Sequence, residues 1–305
     1  MALSLDEAIA RVPHWAGASD LIATPLGGGI TNNNFRIDVG GQSFVLRISG
    51  EDTDLLGISR EHEHGALLAA AKLGIAPEVV YFIQPEGYLV TRFIDGRPVP
   101  PEELRQPENI LRVMQTVRKI HTLPAIPGTF GAFRVIHEYA ETARRYKVKL
   151  PRDYDWLARE LRDAEIALLA HPFKACPCHN DLLNANFLAD DERLYVLDWE
   201  YAGMGDAFFD LANFSSHHEL SEEQDRWMLE CYFDEDKVTQ GQGARLRIMK
   251  VVSDMREASW GLVQIGISKL DFDFQGYADK FFGRAVEKIQ NPLWEEWLKE
   301  VSKHV

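Results

Sequence analysis

Apolar and polar positions alternate in two neighbouring stretches, Phe35-x-Ile37-x-Val39 and Phe44-x-Leu46-x-Ile48, separated by Gly40-Gly41. A period of two on either side of a glycine pair predicts a hairpin of two half-buried strands. The run Leu26-Gly27-Gly28-Gly29-Ile30-Thr31-Asn32 lies at its open end. Upstream, Leu5, Ala8, Ile9 and Val12 share one face of a short helix. Downstream, 59–73 predicts a helix: Ser59 can cap it, Glu61 and Glu63 suit its first turns, and Gly74 suits its end. Further strands are predicted at 79–83 and 88–91. Asp95-Gly96, Pro98 and Pro100-Pro101 mark 93–101 as the linker of the first half. Beyond it the pattern is helical, interrupted by strand-like 186–188 and 194–197. This order predicts an α+β protein with two lobes, a small antiparallel-sheet lobe over 1–94 and a larger, mostly helical lobe over 95–305.

The interruption carries the chemistry. His179-Asn180-Asp181-Leu182-Leu183-Asn184-Ala185-Asn186 precedes a short apolar strand and then Asp198-Trp199-Glu200-Tyr201. An H-x-D-x-x-x-x-N loop followed by a second acid after the next strand is the spacing a phosphoryl-transfer site uses. Asp181 is then the catalytic candidate, and Asn186 and Asp198 are the metal candidates. A polar Asn-Asp turn between ordinary strands explains either motif alone, but two motifs in order favour chemistry.

Phosphates need donors and positive charge. Backbone groups of Gly28 and Gly29, with Thr31 and Asn32 as side-chain donors, can approach an anion. No G-x-x-x-x-G-K-[ST] run occurs, and no lysine precedes Lys72. Arg47, on the second predicted strand, is the cation that can serve instead, since a guanidinium grips phosphate oxygens in pairs and stays charged. Its helix partner is Glu63 or, failing that, Glu61.

A length of 305 residues with 46% hydrophobic and 26% charged positions fits a folded protein large enough for two cores. Net charge of −14 argues against nucleic acid or an anionic membrane as main partner. No apolar run reaches a membrane span, and the first residues lack the pattern of a signal peptide. Cys176, Cys178 and Cys231 form no disulfide framework. A reducing cytoplasm is the expected home. Cys176-Pro177-Cys178-His179 offers a poor zinc corner, with no second cysteine pair, and is expected to pack as small apolar thiols. His62 and His64 are expected at the surface, His121 as a helix-end histidine, and His217-His218 either near an acceptor or at a solvated helix end.

With these motifs on the page, the chain resembles the choline/ethanolamine kinase branch of the aminoglycoside-phosphotransferase-like kinases. The likeness spans nearly the whole sequence. It includes Gly28-Gly29-Ile30-Thr31-Asn32, Val45-Leu46-Arg47-Ile48, Gly74-Ile75-Ala76-Pro77, Asp210-Leu211-Ala212-Asn213-Phe214 and Trp260-Gly261-Leu262-Val263-Gln264. The resemblance implies a protein-kinase-like fold and an ATP- and Mg²⁺-dependent phosphotransferase. It implies that Asp181 accepts or orients the substrate hydroxyl proton and that Asn186 and Asp198 hold Mg²⁺. Backbone groups of Arg92 and Ile94 would meet the adenine, and Asp210 would brace the catalytic loop. For a cationic acceptor it implies a pocket with aromatic faces and a carboxylate, here Trp260, Phe274, Tyr277 and Glu219. The eukaryotic pattern has a second Trp just before the Trp-Gly-Leu segment, where this chain has Arg256-Glu257-Ala258-Ser259. Choline or ethanolamine leads; thiamine, an aminoglycoside, or a non-catalytic binding role are the alternatives.

Overall fold

The computed structural model describes residues 3–27, 32–50, 53–172, 174–235 and 237–303. They fall into two compact units: 1–99 with 185–201, and 100–184 with 202–305. Neither unit is continuous in sequence, since the strand pair of the second half belongs by packing to the first unit.

In the sheet unit, β1 (Ile22–Leu26), β2 (Asn32–Val39), β3 (Gln42–Ser49), β4 (Val79–Ile83) and β5 (Tyr88–Arg92) form an antiparallel sheet ordered β1-β2-β3-β5-β4. Gly40 and Gly41 join β2 to β3 with φ of +58° and +72°. Both signs are those of the two-residue turn whose twist matches a hairpin, and side chains there would be strained. The sequence pattern missed β1 because Pro25 and the glycines behind it obscure any alternation. Proline is tolerated there because β1 is an edge strand. Ile37, Phe44, Leu46 and Ile48 are buried as predicted, and they pack with Ala8 of α1 (Leu5–Ala10), Val12 and Trp15.

Helix α2 (Arg60–Lys72) starts where expected, the Ser59 hydroxyl accepting from the His62 N–H, and it ends at Gly74 with φ of +67°. The expected linker is partly strand: β6 (Arg97–Pro98) pairs with β8 (Phe187–Ala189), which pairs with β9 (Leu194–Val196). A Cβ on Gly96 would stand 2.9 Å from the Ala189 carbonyl oxygen, so the close approach needs glycine.

In the helical unit, α9 (Gln240–Ile267) is buried almost all round from Ala244 to Gln264. Packed on it are α5 (Ala132–Arg145), α7 (Ala207–His217), α10 (Phe274–Ile289) and α11 (Trp294–Val301). A helix buried on every side makes sense only at the centre of such a bundle. The glycine of Trp260-Gly261-Leu262 lets α10 come close, for a Cβ there would lie 3.1 Å from Ala278. The unit also contains α3 (Pro101–Leu104), α4 (Pro107–His121), α6 (Tyr154–Leu169) and α8 (Glu222–Phe233). Its short strands β7 (Cys176–Cys178) and β10 (Gly203–Gly205) pair antiparallel. Among the described residues, no helix is long and apolar enough to cross a membrane.

Candidate active site

In the sheet unit, β3, α2 and the turn after β9 bring five charged groups together. The Arg47 guanidinium meets Glu63 through Nη2 and Asp198 Oδ1 through Nη1, the latter at 3.0 Å. Arg60 Nη1 pairs with Glu63 at 2.7 Å and with Glu200 at 3.2 Å. The partner of Arg47 is therefore Glu63. Burial opposes the Arg47 charge, yet Glu63, Asp198 and Glu200 more than offset it and hold the guanidinium firmly protonated. Asn32 is buried and donates its amide N–H to Glu200 at 3.1 Å. Gly28, Gly29 and Thr31, the other predicted phosphate contacts, lie outside the described residues.

Asp198 has a φ of +58°, a conformation that costs a residue with a Cβ and persists only where surroundings impose it. Asn186 leads into β8, and its carbonyl accepts from the Leu197 N–H at 2.8 Å. The β8–β9 pairing thus presents Asn186 and Asp198 at the same end of one hairpin. Arg92 ends β5 with its N–H donated to the Glu78 carbonyl (2.9 Å) and its guanidinium 4.9 Å from the Phe44 ring centre. Ile94 follows, half-buried.

In the helical unit, Asp181 sits on a loop pinned from α7. Asp210 accepts the His179 N–H (2.9 Å) on one oxygen and the Asn180 N–H (2.6 Å) on the other. Asn213, one turn on, accepts the Leu182 N–H at 2.6 Å. Asn180 takes φ of +67°, a conformation an asparagine tolerates better than most residues. The bracing role expected of Asp210 is what the geometry shows.

Beside Asp181 lies a buried ion cluster that the sequence reading had no place for. Arg256 Nη1 stands 3.4 Å from Asp181 Oδ1 and 2.6 Å from Glu257 Oε1. Glu257 also takes the Tyr277 hydroxyl at 2.6 Å and lies 3.3 Å from His217 Nε2. Burial alone would raise the Glu257 carboxyl, but the Arg256 charge, His217 and the Tyr277 hydroxyl overcome it and hold it well below the usual range. Burial and the Glu257 charge in turn push the Tyr277 phenol up. Trp260 is buried, edge-on to Tyr277 (5.5 Å) and to Phe274 (5.9 Å). The Glu219 side chain is 58% exposed and ion-paired with Lys280 and Arg284. The carboxylate beside the aromatic group is Glu257. A sequence signal existed, since Arg256-Glu257 interrupts a helix flanked by Val251, Val252, Met255, Trp260, Leu262 and Val263. A charge pair on a helix with so many large apolar neighbours must find partners inside the fold.

The solvated-end reading of His217-His218 is corrected. His218 is 1% exposed, and its Nδ1 lies 2.7 Å from the Phe214 carbonyl. Burial lowers its pKa from 6.5 to about 4. The unfolded chain therefore takes up a proton that the folded chain refuses across that range. Stability is complete above pH 6.5 and declines as pH falls toward 4, by up to about 3 kcal/mol from this group. Thermal melts of the protein and of His218→Asn between pH 7 and pH 4 should show the smaller loss in the variant.

The helical unit carries the loop pinned through His179 and Asn180, and the sheet unit carries the Arg47–Glu63 pair. The model of the phosphotransferase enzyme family (APH) matches residues 22–239. The chain belongs to that family and, within it, to the choline/ethanolamine kinase family. A crystal structure of a choline/ethanolamine kinase family protein from Mesorhizobium loti is 32% identical, with a TM-score of 0.83 over 96% of each chain. A probable ethanolamine kinase of Arabidopsis thaliana is 26% identical over 305 residues, covering 87% of this chain and 78% of the relative. Protein LicA of Haemophilus influenzae is 27% identical over 213 residues, covering 67% of this chain and 61% of LicA.

Proposed function

We propose that the protein transfers the γ-phosphoryl group of ATP to the hydroxyl of a small ammonium alcohol, choline or ethanolamine. One observation carries this reading: the Asp181 carboxylate, on its pinned loop, lies within 4.8 Å of ligand atoms of both Glu257 and His217. An acid next to a second buried carboxylate can hold an alcohol and the cation attached to it. The names borne by the relatives support the same acceptor class.

Asp181 accepts or orients the hydroxyl proton, which contributes through alignment more than through bond chemistry. Asn186 and Asp198 offer hard oxygen donors of the kind Mg²⁺ selects, and the ion neutralises phosphate charge when bound. Arg47, steadied by Glu63, supplies positive charge to phosphate oxygens. Gly28, Gly29, Thr31 and Asn32 complete the phosphate contacts, and the Arg92–Ile94 backbone meets the adenine. Trp260, Phe274 and Tyr277 form the aromatic side of the acceptor site.

Glu257 favours an acceptor with an N–H. Two donors already hold its oxygens, from Arg256 and Tyr277, with His217 Nε2 3.3 Å away, and a carboxylate has room for about four. A site built to accept a hydrogen bond discriminates against an analogue that lacks it. ADP release should be measured with ethanolamine, its N-methyl and N,N-dimethyl derivatives, choline, thiamine and an aminoglycoside. Turnover should be best with ethanolamine, and kcat/KM should fall at least about tenfold when the last N–H is lost at choline. Trp260→Ala should raise the acceptor KM. Turnover confined to thiamine or the aminoglycoside would keep the kinase and discard this acceptor class, and silence with all six would discard the function.

A further inference from the structure

Cys176 and Cys178, two apart on β7, point their thiols to one face, and the sulfurs are 3.8 Å apart. Sequence alone offered these two ligands and no more. The fold adds His121, the last residue of α4, so that one nitrogen and both sulfurs lie within 4.8 Å of one another. We infer that His121, Cys176 and Cys178 form a site for a soft, thiophilic cation of the Zn²⁺ or Cu⁺ class, distinct from the catalytic groups.

Four-coordinate thiolate sites have metal–sulfur distances near 2.3 Å, which corresponds to sulfurs about 3.8 Å apart. The spacing observed here matches that value with no movement of the strand. His121 is held as a ligating histidine usually is. Its Nε2 faces the buried Asp210 carboxylate at 3.0 Å, and its Nδ1 meets the Tyr232 hydroxyl at 2.7 Å. The carboxylate orients the ring, as the outer partner of a ligating histidine does. Cys176 is half-buried and provides the approach, while Cys178 is enclosed. Two sulfurs and an imidazole select against Mg²⁺, whose preference is oxygen. Because both thiols must lose protons, binding tightens as pH rises. The Asp210 that orients His121 also holds the His179 and Asn180 N–H groups, so the site is one carboxylate away from the catalytic loop.

The test is titration of the full-length protein, kept reduced, with Cd²⁺, followed through thiolate-to-metal absorption in the ultraviolet and then displaced with Zn²⁺. The expected result is saturation at one ion per chain, unmoved by excess Mg²⁺. Cys176→Ser should weaken binding at least about tenfold, and Cys231→Ser should not change it. A band that never saturates, that persists at full strength in Cys176→Ser, or that Mg²⁺ abolishes would overturn the site. None of these readouts depends on the acceptor or on turnover.

Discussion

Asp181→Asn should lower kcat about a thousandfold, a loss of about 4 kcal/mol of transition-state stabilisation, and leave nucleotide affinity within a few-fold. The substitution preserves shape but removes the carboxylate charge, and with it the group that aligns the hydroxyl and takes its proton. The loop should stay in place, because Asp210 and Asn213 hold it through the backbone N–H groups of residues 179, 180 and 182. Arg256 would not be stranded either, since Glu257 lies closer to it than Asp181 does. Steady-state ADP release and a nucleotide titration on the same preparation check both halves. A variant within tenfold of the parent would remove Asp181 from the proton-handling role, and a large loss of nucleotide affinity would show that the loop had moved.

Arg256→Met should be the most destabilising single change near the site. It leaves the Glu257 carboxylate buried with only His217 and Tyr277 for support, and breaking a buried pair in this way costs about 3–5 kcal/mol. In a chain of this size that is a fall of roughly 5–8 °C in Tm. Removing both charges in Arg256→Met/Glu257→Leu should recover much of the loss, because no buried ion is then left without its partner. A double-mutant cycle measures this directly, with a coupling of at least about 2 kcal/mol expected. If the double variant simply loses the sum of the two single effects, the pair contributes no mutual stabilisation and another source must account for the burial of both groups. The same double variant should turn over poorly, since Asp181 then lacks its neighbouring guanidinium and an incoming ammonium lacks Glu257.

How much was legible depended on how local the cause was. The β2–β3 hairpin followed from alternation and from a glycine pair that alone suits two positive φ values. The start of α2 followed from Ser59, whose hydroxyl needs only a partner three residues away. The pairing of Arg47 with the helix acid was visible as one of two options, and burial decided it: Glu63 faces the sheet, while Glu61 is exposed. Strand β1 was hidden by Pro25, because the tolerance of an edge strand for proline depends on having no neighbour on one side. The linker concealed β6 for a similar reason: two residues become strand only because β8 is there to pair with them.

The sequence by itself determined the chemistry on offer. It placed His179, Asp181, Asn186 and Asp198 at phosphoryl-transfer spacing, put an arginine on the second strand of the hairpin, and supplied the local signals that start, turn and end the elements. Only the tertiary structure decided which charges meet. Asp181 and Arg256 are 75 residues apart, and packing alone put Glu219 at the surface and Glu257 against Tyr277. His121 reached the two thiols of β7 in the same way, across more than fifty positions. Spacing along a chain governs hydrogen bonds within a turn or a helix. Ion pairs and ligand sets between distant segments depend on which faces are buried together, and that is settled only when the whole core forms.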